Sequence, residues 1–150
     1  ERGTGFVGEL LETFNVFQEL IALSKSNVRK KKTVWEDDSI RREIGIIGAD
    51  LDALWAFTKR NVSQGSRGGM AIGSGSGFKV AFATTQHRLG DLALRVLDRS
   101  SLSLDDLNGT PTGELVHSKL HAFAISLGGG TTQIQQNIIA ERVLGLPRER

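Results

Sequence analysis

The stretch Phe6–Ile21, FVGELLETFNVFQELI, decides the fold class. Phe6, Leu10, Phe14, Phe17 and Ile21 recur at steps of four, four, three and four, which puts them on one face of a helix running from about Thr4 to Asn27. A strand would alternate with period two, and no segment of this chain does so. The same helical spacing returns downstream. After the acidic cluster Glu36, Asp37 and Asp38, suited to a helix N-terminus, come Ile40, Ile44, Ile47, Leu51 and Leu54. A third helix from about Phe78 to Leu97 carries Phe82, Leu89, Leu92 and Val96 on one face, and a fourth runs from about Glu114 to Leu127. Between Asn61 and Gly77 the composition turns to Gly and Ser and reads as a flexible connection. Asp98 to Gly113, with Pro111, reads as a polar loop. Amphipathic helices must bury their stripes against one another, so the expectation is an all-α domain: an antiparallel four-helix bundle with a shorter additional C-terminal helix.

The composition fits that frame. At 150 residues, 39% hydrophobic and 24% charged, the chain suits one domain with a sizeable core. A net charge of +2 gives no electrostatic footprint for nucleic acid. The absence of cysteine excludes disulfides and thiolate metal sites and fits a reducing cytoplasm. No apolar run is long enough to span a membrane. The first residue is Glu1 and not Met, which suggests a piece of a longer protein.

Several smaller motifs invite a function and resolve into structure. Arg29-Lys30-Lys31-Lys32 is basic enough to meet phosphate, but it follows the first helix, where cations complement the dipole, and reads as a solvated turn. Gly73-Ser74-Gly75-Ser76-Gly77 lacks the last glycine of a dinucleotide loop and the Gly-Lys-Ser/Thr of a P-loop, which leaves a linker. His117 and His121 stand four apart on a helix, as metal ligands do, without an identifiable third ligand, so no metal is expected. His87 has no evident partner. Trp35 and Trp55 are large enough to stack on a ring, and Trp55, in the apolar sector of the second helix, reads as core.

The last stretch, Gly128–Arg150, GGGTTQIQQNIIAERVLGLPRER, says most about function. Three glycines permit close approach by a backbone or a ligand. Thr131 or Thr132 can cap the helix that follows, and Thr132 with Gln135 has capping-box spacing. That helix is expected from about Thr132 to Leu144, closed by Gly145 and Pro147. A helix N-terminus behind a Gly-rich turn favours anionic or polar ligand atoms.

This stretch resembles the C-terminal signature of acyl-CoA dehydrogenases, almost unbroken from Gly130 to Glu149. Members of that family remove two hydrogens from adjacent carbons of an acyl-CoA thioester: a glutamate takes the α-proton and FAD accepts the β-hydride. The family's C-terminal domain is also a helical bundle. The resemblance implies that Thr131, Thr132 and Gln133 touch FAD and that the Gly130 backbone lies near the thioester. In the commonest members the base is a glutamate at the position held here by Gly129, and glycine accepts no proton. In a minority it lies on the first helix in a Glu-Arg pair, which matches Glu1-Arg2. The combination resembles a divergent bacterial branch, some of whose members act on sterol side-chain or other bulky CoA esters. Glu1 is then the expected catalytic base, with Arg2 orienting it or the flavin.

The family often grips FAD from a neighbouring subunit with Arg-x-x-Phe-Gly after the first helix. Here Arg29 is the candidate, without the Phe-Gly, and the usual Gly-Gly after the third helix is Asp98-Arg99. Family members carry an N-terminal helical and a middle β-domain ahead of this one. Residues 1–150 therefore correspond to the C-terminal domain alone, inactive by itself. The resemblance further implies a homodimer or tetramer and electron-transfer flavoprotein as acceptor. Two alternatives stay open: a non-catalytic subunit that completes a partner's FAD site in a hetero-oligomer, and a helical interaction module without a redox role.

Overall fold

Five helices account for most of the chain in the computed structural model, which describes residues 6–69, 74–107 and 109–148. Helix α1 (Val7–Ser26) buries Leu10, Val16, Phe17 and Leu20, while Phe6, Phe14 and Ile21 pack at the margin of the core. The buried stripe also takes in Thr13 and Ser24, whose hydroxyls donate to the carbonyls of Glu9 and Leu20 four residues back and so enter the core satisfied.

A hairpin follows where no strand pattern is present. Two-residue strands β1 (Val28–Arg29) and β2 (Lys32–Thr33) pair antiparallel across Lys30 and Lys31, whose φ values of 48° and 70° are those of a primed two-residue turn. Strands this short carry no periodicity to read. Thr33 and Glu36 form a capping box around a 3-10 turn, and Asp37 accepts from the Ser39 amide at 2.8 Å to start α2.

Helix α2 (Asp38–Ser66) buries the expected Ile40, Ile44, Ile47, Leu51 and Leu54, then continues through buried Thr58 and Asn61. The anticipated linker is therefore largely helical, because α3 (Ser74–Leu97) in turn begins inside its Gly-Ser run. Each helical glycine costs about 1 kcal/mol relative to alanine. Aromatic packing offsets that cost. Phe78 stacks on Phe57 at 6.3 Å and on Phe82 at 5.6 Å, fixing the start of α3 against α2.

The polar loop after α3 contains a 3-10 turn, Asp98–Leu102, and a bridge between Leu107 and Thr110. Helix α4 (Thr112–Leu127) starts with the Gly113 amide donating to Asp106 Oδ1 at 3.0 Å. Helix α5 (Thr132–Arg142) ends before Leu144, close to Gly145 at φ 67°. α1 packs on α2, α2 on α3, α3 on α4 and α4 on α1, while α1 and α5 also lie on α3, so α3 touches every other helix.

Candidate functional site

The Gly-rich turn between α4 and α5 is held from beneath by two buried polar side chains. Lys79, 5% exposed near the start of α3, donates from Nζ to the carbonyls of Gly128 and Gly130. Gln135, also 5% exposed, donates from Nε2 to the Gly129 carbonyl at 2.8 Å. Three successive carbonyls thus point inward. Burial pushes the Lys79 ammonium pKa below its usual value, and none of the ion pairs among the described residues includes it.

Gly129 and Gly130 stand at φ 67° and 102°, conformations that side chains resist. Thr131 caps α5, its Oγ1 accepting from the Ile134 amide at 3.4 Å. The capping box expected of Thr132 and Gln135 does not form, because Gln135 turns to Gly129 instead. Thr132 is half-buried on the first turn of α5 and Gln133 is exposed beside it.

Phe6, just ahead of α1, and the Gly-rich turn both meet the start of α3. Phe6 packs on Phe78 at 6.0 Å and on Phe82 at 5.8 Å, while Lys79 ties down the glycine turn. Glu1 and Arg2 lie outside the described residues.

Arg29 is elsewhere. Its guanidinium donates to the carbonyls of Arg95 and Val96 near the end of α3 and stands 4.0 Å from Asp98. Lys79 and Arg95 lie sixteen residues apart on one helix, about 24 Å at the α-helical rise. Arg29 borders a cleft of about 690 Å³ that mixes Lys30, Lys32 and Arg95 with Glu36, Asp37 and Asp98. The turn is less solvated than expected at Arg29, because that side chain closes the end of α3.

The histidines have other partners. His121 Nε2 lies 3.5 Å from Glu9, and with His117 it borders a cleft of about 360 Å³. Among the described residues no group of three or more His, Cys, Asp or Glu is placed to hold a metal ion. His87 Nε2 lies 2.6 Å from Ser126 Oγ, with Lys119 Nζ 3.5 Å from Nδ1 and Asp91 2.6 Å from that ammonium. The arrangement has the residue types of a nucleophilic dyad but the wrong proton. An ammonium facing Nδ1 requires a bare nitrogen there, so Nε2 carries the hydrogen and donates to the serine. Burial, reinforced by Lys119, pushes the His87 pKa down and keeps the ring neutral. Trp55 is half-buried, edge-on to Phe14, and Trp35 lies under the Lys25 ammonium.

Sequence reasoning missed Lys79, the Gly129 contact of Gln135 and the Ser126 partner of His87. A signal for the first existed: Lys79 precedes Phe82, Gln86 and Leu89 at steps of three, four and three, a lysine on the apolar face of α3.

The described residues thus form an all-α domain with a clamped glycine turn at a helix N-terminus. Residues 1–144 match the family of the acyl-CoA dehydrogenase C-terminal domain, and the chain belongs to it. It is similar to acyl-CoA dehydrogenase IpdE1 of Mycobacterium tuberculosis, with 30% identity across 99% of this chain and 36% of that protein. Its counterpart in Mycolicibacterium smegmatis is also 30% identical, across 99% of this chain and 35% of that protein. The chain thus spans about a third of the length of the curated relatives it matches. In fold it resembles the ChsE4–ChsE5 complex from Mycobacterium tuberculosis (TM-score 0.79, 20% identity, 91% of this chain and 36% of that one). It also resembles an FAD complex of PigA (TM-score 0.77, 21% identity, 94% of this chain and 34% of that one). No helix of the described residues is long and apolar enough to cross a membrane.

Proposed function

We propose that this chain is the C-terminal domain of an FAD-dependent acyl-CoA dehydrogenase, working joined to helical and β-domains of the same polypeptide. Family membership supports the reaction class. The observation that supports the site is that Phe6, just ahead of α1, and the glycine turn both pack at the start of α3. The turn suits a flavin or thioester: glycines 128–130 present no side chains, and the N-terminus of α5 offers free amide groups to polar ligand atoms. Thr131, Thr132 and Gln133 then contact FAD, and the Gly130 backbone faces the acyl thioester. When bound, FAD supplies the acceptor for the β-hydride.

The proton needs a carboxylate, and the turn has none. Glu1 takes the α-proton in this reading, with Arg2 holding it in place, and the Cα–Cβ double bond forms as the proton and hydride leave. Arg29, about 24 Å from the turn along α3, reaches a flavin only as part of a second copy's site, which makes the functional unit an oligomer. Electron-transfer flavoprotein is the proposed acceptor of the electrons.

Glycines in place of a base also favour a second reading, a subunit that completes a partner's flavin site. The test for both is the full-length protein. It should be yellow and should oxidise acyl-CoA with an artificial acceptor, and Glu1→Gln should abolish turnover while flavin stays bound. Turnover unchanged by Glu1→Gln removes that residue from the chemistry. Bound flavin with no turnover by the single subunit supports the second reading.

A further inference from the structure

A Gly-Gly-Gly turn has no side chains to choose its conformation, because glycine enters positive and negative φ with similar ease. Left alone, peptide planes in such a turn flip readily, yet here three carbonyls point one way. The choice is imposed from α3 and α5, by Lys79 on Gly128 and Gly130 and by Gln135 on Gly129. No peptide among the described residues is cis, so a carbonyl held by Lys79 turns the next residue's amide the other way. Gly128 (φ -62°, ψ 140°) and Gly129 (φ 67°) form a turn that folds the Gly130 amide back toward the end of α4. The amides of Gly129 and Thr131 are left aimed away from the core, and neither donates to a backbone carbonyl among the described residues. We propose that Lys79 is a positioning residue for the dehydrogenation: its grip on the Gly128 and Gly130 carbonyls aims those outward amides at the acyl thioester.

Lysine suits the task better than other donors. One ammonium carries three N–H bonds on a single atom and bridges two carbonyls at once. Gly128 also ends α4, its amide donating to the Ala124 carbonyl at 2.8 Å. A cation there meets the negative end of the α4 dipole, which helps a buried lysine persist without a carboxylate. The inference rests on the glycine turn serving an acyl thioester, as proposed above.

The experiment uses the full-length flavoprotein. Lys79→Met keeps the length and apolar stem of the side chain and removes the donors. Preorganised amides act on charge developing in the transition state, so kcat should fall by about tenfold to a hundredfold, with KM for acyl-CoA changed by less than about threefold and flavin retained. Lys79→Gln, which keeps two N–H donors, should recover part of the loss. A crystal structure of Lys79→Met should show the Gly128 or Gly130 carbonyl turned toward solvent. An unchanged kcat, or both carbonyls still inward, overturns the inference. Should Lys79→Met fail to fold, Gln135→Met, which frees only the Gly129 carbonyl, decides: a smaller kcat loss supports the clamp, and no loss overturns it. A wild-type protein without flavin or turnover sinks the functional reading and Lys79's part in it. Normal wild-type turnover with an unaffected Lys79→Met sinks the Lys79 inference alone.

Discussion

Gln135 Nε2 donates to the Gly129 carbonyl at 2.8 Å, and a Cβ placed on Gly130 would stand 2.8 Å from that same nitrogen. The helix that follows the glycine turn therefore fixes the turn and crowds any side chain at Gly130. Gly129 is different, since a Cβ there meets only Lys79 Nζ, at 3.9 Å. Alanine at Gly129, in the left-handed helical region, should cost about 1 kcal/mol. Alanine at Gly130, at φ 102° and in collision with Gln135, should cost about 2–3 kcal/mol. Urea unfolding of the two variants measures the difference, and equal costs would show that Gln135 yields freely.

At Gly90, α3 packs tightly against Lys119 of α4. A Cβ there would lie 2.7 Å from Lys119 Cδ and 2.9 Å from its Cα, so backbone as well as side chain must move. Gly90→Ala should destabilise the protein by about 1–3 kcal/mol, the usual cost of overpacking. It should also disturb the 2.6 Å pair between Lys119 and Asp91. A thermal midpoint equal to wild type would mean the two helices separate at no cost.

The His87 pKa lies below its ordinary 6.5 in the folded protein, chiefly through burial and then through Lys119. As pH falls through about 6.5 the unfolded chain binds a proton that the folded one refuses, so this contribution to stability is present above that pH and is lost below it. His87→Gln keeps a donor for Ser126 and removes the titration. Its unfolding free energy should fall less steeply with acidification than that of wild type, and parallel curves would contradict the assignment.

Glu19 behaves in the opposite sense. Burial first, then the neighbouring charges of Glu114 and Asp106, raise its pKa above 4.5, and its Oε2 has no hydrogen-bond partner. The stabilisation belongs to the protonated form: it is complete below pH 4.5 and disappears as pH rises through the folded value. Glu19→Gln should raise the melting temperature at neutral pH by about 2 °C and leave it unchanged below about pH 4. A gain of equal size at both pH values would point to packing in place of charge.

Sequence alone determined the helices whose apolar stripes are long. Every expected inward residue of α2, from Ile40 to Leu54, is buried, as are Phe82, Leu89, Leu92 and Val96 of α3, because burial of a 3.6-residue stripe is a local property of the chain. It also carried the family, through the run from Gly130 to Glu149. The tertiary structure decided the rest. Glycine and serine from Gly75 to Gly77 are helical because Phe78 finds Phe57 and Phe82, contacts that no local propensity encodes. Arg29 and Thr131, both candidates for one cofactor, sit at opposite ends of α3, since the hairpin carries the first back over the end of that helix. The conformation of Gly128–Gly130 is likewise a tertiary matter. A triple glycine has little preference of its own, and Lys79 and Gln135, arriving from α3 and α5, hold its three carbonyls.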